Sequence, residues 1–337
     1  MKNGVRRIHR APKHNARVLI GGACWDYYLA VHCLRPGIQH HVQHRLSVPG
    51  GGALNNAIVH RALAPHAPIV LLAAVGDDAE GRALRRHLAG RRIKLYWPPV
   101  QGVSTSVSYV VVEGESGRGT ILAETGARAT ALPLTLAERA LEHAVACCLV
   151  APTNNEQIPA VLRIAAQRHV PVYFGLGRTQ IDTLGYEGLR AALVDNVAVL
   201  MCNRLEAERL TNQSAIADQL DALRFDGQVE MVVITDGAGG IHASHDGDLC
   251  YESAYTDPQR PIVDDVGAGD GAQAALVDAL LRGRPLEVAL RAAARQGFEV
   301  CTGRGATTCL VHGETMEAYL ASGAQLRAEE RARVGVA

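Results

Sequence analysis

The feature that most constrains this chain is a rhythm. Short apolar runs alternate with Ala- and Leu-rich stretches of helical period along most of its length. Brief apolar runs bounded by turn residues read as buried strands. They fall at Val18–Ile20, Ile69–Ala74, Cys147–Ala151, Val170–Phe174, Val197–Met201 and Met231–Thr235. Helices are expected over Asn55–Ala64, Glu80–Ala89, Leu136–Ala144, Gln157–Gln167, Arg204–Leu210 and Ala215–Leu223. Two more are expected from Gly269 or Asp270 to about Arg282, and from Pro285 to about Val300. Strands alternating with helices predict an α/β protein with a mostly parallel central sheet and helices on both faces, three layers in all. Aromatic residues are only 4% of the chain, so Ala, Val, Leu and Ile must build the core.

Residues 27–48 and 103–123 break the rhythm. The first stretch is β-prone without a helix period. The second reads as a hairpin, Thr105–Val112 and Thr120–Leu122 around a turn at Glu113–Gly119. Together they predict a small β subdomain beside the main sheet, placed to act as a lid. Residues 1–16 are read as a basic flexible tail, 17–315 as the main domain, and 316–337 as a C-terminal helix and tail, with Glu329 to Arg333 a solvated helix end. Met1 to Arg17 lacks the long apolar region and small-residue cleavage site of a signal peptide.

Lys plus Arg equals Asp plus Glu at 34 each, which gives no electrostatic footprint for nucleic acid or an anionic membrane. No apolar run approaches the ~20 residues needed to span a bilayer. The eight Cys include no Cys-x-x-Cys pair, so a reduced cytoplasmic protein is the simplest expectation. His40, His41 and His44 have no acid or Cys partner at ligand spacing and read as a polar loop rather than a metal site.

The segment richest in chemistry is Asp264-Asp265-Val266-Gly267-Ala268-Gly269-Asp270-Gly271-Ala272, running into the helical stretch Gln273–Leu281. Glycines let backbone N–H groups approach a ligand, and the helix start adds positive polarity. Such a turn can stabilise charge on a phosphoryl group while a first-turn carboxylate accepts a hydroxyl proton. Taken alone, it reads more readily as an N-capped helix after a glycine loop.

The pattern Asp264-x-x-Gly267-Ala268-Gly269-Asp270 resembles the C-terminal signature of ribokinase-like (PfkB-type) carbohydrate kinases. The resemblance implies the ribokinase-like fold and ATP-dependent phosphorylation of a sugar hydroxyl. It makes Asp270 the catalytic base and the amides of Gly267, Ala268 and Gly269 the anion hole. Asp265 stands where the family usually has Thr or Ser, and Gly271-Ala272 where it has a small residue and Phe.

Other elements follow in family order. Pro49-Gly50-Gly51-Gly52-Ala53-Leu54-Asn55 resembles the N-terminal signature, which implies acceptor contacts from Gly50, Gly51 and Asn55. Asp26, after Gly21-Gly22, matches the acid that accepts hydrogen bonds from sugar hydroxyls; a surface-turn Asp is the plain alternative. Ala74–Gly81 matches a further family stretch, with Asp78 as a helix cap. Asn203-x-x-Glu206 resembles the element acting near Mg²⁺ and the ATP phosphates through water, with no direct protein ligand to the metal. A capped helix is its plain alternative. Thr235-Asp236-Gly237-Ala238-Gly239-Gly240 resembles the loop along the nucleotide, placing Thr235, Gly237 and Gly240 there. It comes too late in the chain for a dinucleotide fingerprint. Gly303-Arg304-Gly305-Ala306 matches a loop beside the nucleotide whose carbonyls in some relatives hold a monovalent cation, so the resemblance leaves K⁺ open at Gly305. Lid strands often pair between subunits in this family, which implies a homodimer. The acceptor stays open between a sugar, a nucleoside and a sugar phosphate, for which Arg45 and Arg118 are lid cations. A non-catalytic binder of sugar or nucleotide is the alternative from another class.

Overall fold

The computed structural model describes residues 15–114, 119–152, 154–193 and 197–334. The expected tail over residues 1–14, the middle of the 113–119 turn and Arg118 lie outside the described residues.

Thirteen strands form among the described residues: β1 (Ala16–Gly21), β2 (Cys24–Val31), β3 (His44–Gly50), β4 (Ile69–Leu72), β5 (Lys94–Leu95), β6 (Val107–Glu113), β7 (Gly119–Glu124), β8 (Ala144–Val150), β9 (Val172–Gly175), β10 (Val197–Asn203), β11 (Val229–Thr235), β12 (Ile241–His245) and β13 (Asp248–Glu252). The helices are α1 (Gly52–Leu63), α2 (Ala79–Gly90), α3 (Leu134–Leu141), α4 (Ile158–Gln167), α5 (Arg178–Ala192), α6 (Arg204–Thr211), α7 (Ile216–Ala222), α8 (Ala268–Leu281), α9 (Leu286–Cys301) and α10 (Gly313–Val334).

The large sheet has the order β13-β12-β11-β10-β9-β8-β1-β4-β5. It is parallel from β5 through β11 and turns antiparallel at β12 and β13. Successive strand residues face opposite layers, as the two-residue period of a strand requires. Leu19 joins the apolar cluster with α1, α2, α8 and α9, whereas Val18 and Ile20 join the one with α3, α4 and α6. The three-layer α/β/α architecture is therefore the observed one. The interior is built from small and branched side chains, which lets helices come close. A Cβ on Gly271 would lie 2.8 Å from Val300 Cγ2, so the glycine after Asp270 is what lets α8 lie against α9.

The two stretches expected to form a β subdomain make one four-stranded sheet, β3-β2-β6-β7. Its outer pairs are antiparallel and the central β2–β6 pair is parallel. The edge strand β7 exposes Ile121 and Leu122.

Four expectations need correction. Asp26 is on neither a loop nor a surface turn; it is 6% exposed within β2, which starts at Cys24 rather than at 27. Ala144 begins β8 instead of ending a helix, because α3 stops at Leu141. The division at 315 falls inside α10, whose Met316 and Leu320 are buried in the main core. Ala16, placed in the tail, is fully buried as the first residue of β1. Among the described residues no helix is long and apolar enough to cross a membrane.

Candidate active site

Two helices start side by side at the carboxyl ends of the central strands. Both begin on a glycine with positive φ: Gly51 at +94° before α1 and Gly267 at +83° before α8. That backbone region is open to glycine and strained for other residues. Close packing adds a second constraint. A Cβ on Gly51 would lie 2.7 Å from the Gly22 carbonyl oxygen, and one on Gly267 only 2.2 Å from Ala306 Cβ. Asp264 ties the second turn together, its Oδ1 accepting from the Val266 N–H (3.1 Å) and its Oδ2 from the Gly305 N–H (3.0 Å).

Asp270 sits in the first turn of α8, where helix N–H groups lack intrahelical acceptors. Asn55 Nδ2 donates to its carboxylate Oδ2 at 2.9 Å, and Asn56 Nδ2 donates to its carbonyl at 3.1 Å. Burial pushes the Asp270 carboxyl up to about 6; the Asn55 hydrogen bond pulls it down, and the nearby Asp26 charge raises it. Asn55 thus spends its donor on Asp270, and its Oδ1 is buried without a protein partner.

Asp26 lies close by, on the face of β2 turned to this site. The Cys24 thiol donates to its Oδ1 at 3.0 Å, and Ser108 on β6 reaches the Cys24 sulfur at 3.7 Å. Burial raises the Asp26 carboxyl above its ordinary value, against lowering by hydrogen bonds to it from Cys24 and Ser108 and by the Arg128 charge. Gly50 makes room for it, since a Cβ there would fall 1.8 Å from Asp26 Oδ2.

Beyond Asp270 a cleft runs over the ends of β8, β9, β10 and β11. Asn203, Glu206, Thr235, Gly267, Gly269 and Asp270 all line it. Asn203 and Glu206 form a reciprocal cap at the start of α6: the Glu206 N–H donates to Asn203 Oδ1, and the Asn203 N–H donates to Glu206 Oε2, each at 2.9 Å. The capping alternative and the cleft position therefore hold at once. Burial and the Asp270 charge raise the Glu206 carboxyl. Gly237 and Gly240 lie in the turn after Thr235; a Cβ on Gly237 would meet nothing within 4 Å. Gly305 follows α9, in the turn beside the Gly267 loop. It packs against Val48 of β3 and supports the Gly267 turn through Asp264 and Ala306. Asp78 caps α2 as expected, accepting from the Gly81 N–H at 2.8 Å.

Two residues at the centre of this arrangement escaped the reading by motif. Asn56 and Gln273 are hydrogen-bonded to each other across α1 and α8 (3.2 Å), 0% and 3% exposed. Gln273, a polar residue inside the apolar stretch Gly271–Val277 of α8, was the available signal.

A carboxylate held at a helix start, between two glycine turns and an open cleft, suits phosphoryl transfer to an alcohol. Residues 16–312 match the pfkB family carbohydrate kinase profile. The chain belongs to that family. As a pfkB-family carbohydrate kinase it is an ATP-dependent sugar kinase. It is 25% identical over 261 residues to the ribokinase of Bacillus subtilis (strain 168), covering 76% of this chain and 82% of that one. The fold is shared with the Arabidopsis thaliana ribokinase complexed with ribose and ATP (TM-score 0.77, 22% identity, 92% of this chain and 99% of that chain). It is shared equally with the adenosine kinase of Sinorhizobium meliloti (TM-score 0.79, 17% identity, 91% and 99%).

Proposed function

We propose that this kinase transfers the γ-phosphoryl group of ATP to a hydroxyl of a small sugar or sugar-like acceptor, with Asp270 as general base. The acceptor hydroxyl gives its proton to Asp270 while its oxygen bonds to the γ-phosphorus, and the bond to the bridging oxygen breaks to release ADP. Gly267, Gly269 and Asp270 offer N–H groups at the start of α8 to the charge on the migrating group, whereas the Ala268 N–H, expected to join them, is donated to the Asp265 carbonyl at 3.1 Å. Asp26, Gly50, Gly51 and Asn55 form the acceptor side. Asn55 Oδ1, a buried acceptor without a protein partner, suits a hydroxyl donor there. Asn203, Glu206, Thr235, Gly237 and Gly240 form the nucleotide side.

The observation that carries this reading is the Asp270 carboxylate itself, oriented by Asn55 at the cleft mouth with its pKa raised to about 6. That value keeps it ionised at neutral pH yet basic enough to accept a proton.

Glu206 is the residue suited to hold the water ligands of a Mg²⁺ ion on the ATP phosphates; a single hard carboxylate with one oxygen tied to Asn203 fits contact through water. When bound, the ion would neutralise phosphate charge. At the Gly305 loop the Arg304 carbonyl accepts from Thr308 Oγ1 (2.6 Å) and the Gly305 carbonyl from the Thr308 N–H (3.2 Å). Each keeps a second lone pair that would suit a K⁺ ion, and no step is assigned to that ion.

Incubation with ATP and a panel of sugars, sugar phosphates and nucleosides is expected to add one phosphoryl mass to a sugar with matching ADP release. A nucleoside product would move the acceptor class, and no product from any acceptor would leave a binder. Asn55→Ala removes the hydrogen bond that holds the Asp270 pKa down. The acid limb of the kcat–pH profile, midpoint near 6 in the parent, is then expected at higher pH, and an unmoved limb would count against the contact.

A further inference from the structure

The wall of the cleft contains one polar side chain that the proposed reaction has not yet used. Gln273 lies one turn below Asp270 on α8, is 3% exposed, and lines the cleft together with Asp270, Glu206, Gly267 and Gly175. Its orientation follows from a short chain of hydrogen bonds. The Asp270 carbonyl can only accept, so the group facing it at 3.1 Å is the Asn56 Nδ2 donor. The same Nδ2 reaches Gln273 Oε1 at 3.2 Å, which turns the Gln273 oxygen toward Asn56 and its Nε2 away. That Nε2 is buried and has no hydrogen-bond partner.

Buried amide donors are almost always paired, so an unpaired one beside a cleft marks a place where a ligand atom belongs. Space has been made for this amide. A Cβ on Gly175 would stand 2.8 Å from Nε2 and 2.7 Å from Oε1, so any larger residue at the end of β9 would push the amide out. The chemistry of the missing partner is also constrained. Nε2 donates only, and the Asp270 and Glu206 carboxylates on the same cleft leave the site short of donors for an anion.

We propose that Gln273 is a further catalytic residue, whose Nε2 donates a hydrogen bond to an oxygen of the phosphoryl group in transfer. This rests on the kinase reading above and adds to it a donor from a side chain, beside the backbone amides of the α8 turn. The network from Asn56 sets the amide's orientation in advance, so it does not have to reorganise as charge migrates.

Two variants test it in the full-length protein. Gln273→Leu removes the donor and keeps the volume, while Gln273→Glu keeps an oxygen toward Asn56 and replaces the donor with a carboxylate. The expected result is a fall in kcat of about 10- to 100-fold for Leu and a larger fall for Glu. KM for ATP and acceptor should change little, and the Leu variant should melt no lower than the parent. Gln273→Glu should also move the acid limb of the kcat–pH profile upward, because a second carboxylate then lies one turn from Asp270. Retention of parental kcat by a folded Leu variant would overturn the proposal, since Nε2 would then serve only an internal water. Loss of folding in both variants would overturn it too, making Gln273 a core residue. Turnover by the parent in the same assay reports separately on the kinase reading.

Discussion

Asp270→Asn is expected to lower kcat by about 10²- to 10⁴-fold while leaving KM for ATP within about twofold. Asn is nearly isosteric and its oxygen can still accept from Asn55 Nδ2, so the site should keep its shape and lose only the proton acceptor. Stability separates this from misfolding. The folded-state pKa of Asp270, about 6, lies above its ordinary value of 3.8, so the fold favours the protonated form. That contribution is fully present below the ordinary value and is lost as pH rises through about 6. A neutral Asn keeps it, so the variant should melt no lower than the parent at pH 7. Steady-state kinetics with a thermal melt on the same sample checks both points, and normal turnover would remove Asp270 from its assigned role.

Asp278→Ala carries the largest expected effect on stability. Asp278 is on α8 two turns beyond Asp270, and its Oδ1 lies 2.6 Å from Arg17 Nη1, while Oδ2 accepts from Arg282 Nε at 2.8 Å. Arg17 reaches up from β1, 7% exposed, and its Nη1 contacts His60 Nδ1 at 2.9 Å. His60 is fully buried, and burial followed by the Arg17 charge holds its pKa well below the ordinary value, so it offers no countercharge. Removing the carboxylate would strand Arg17 beneath the sheet at a cost of about 3–5 kcal/mol, a fall in Tm on the order of 10 °C. Replacing both partners, as in Arg17→Met with Asp278→Leu, should lose far less than Asp278→Ala alone. A double variant as unstable as the single one would show that the charges themselves are not what matters there.

The parallel core was legible because its strands are short apolar runs. Val18–Ile20 and Met231–Ile234 are unbroken apolar runs buried on both faces of their strands, the polar residues Arg17 and Glu230 falling just before them. The missed elements are those where the pattern fails for a physical reason. β12 and β13 are His-Ala-Ser-His and Asp-Leu-Cys-Tyr in character, because they close the sheet edge and β13 faces solvent. Helix α5 contains Gly185 at φ +61°, a break that splits its helical period. β5 is two residues long, too short to carry a period.

The glycine turns of the site were legible because close approach leaves glycine as the residue that fits, as at Gly50 and Gly267. Their partners were not. Asn56 and Gln273 meet across 217 positions of chain, and Cys24 and Ser108 across 84, so no local spacing encodes those contacts. Gly305 shows the converse: its motif was visible, and its N–H supports the α8 turn through Asp264.

In the proposed reaction one carboxylate, at the positive end of α8, takes the acceptor's proton. The most direct measurement is the single-turnover rate of phosphoryl transfer from ATP to the acceptor between about pH 4.5 and 8. The rate is predicted to climb roughly tenfold per pH unit at the acid end, bend near 6, and run flat above, with the bend absent in Asp270→Asn. A parent profile without that bend, or one that the Asn variant reproduces at full height, would contradict it.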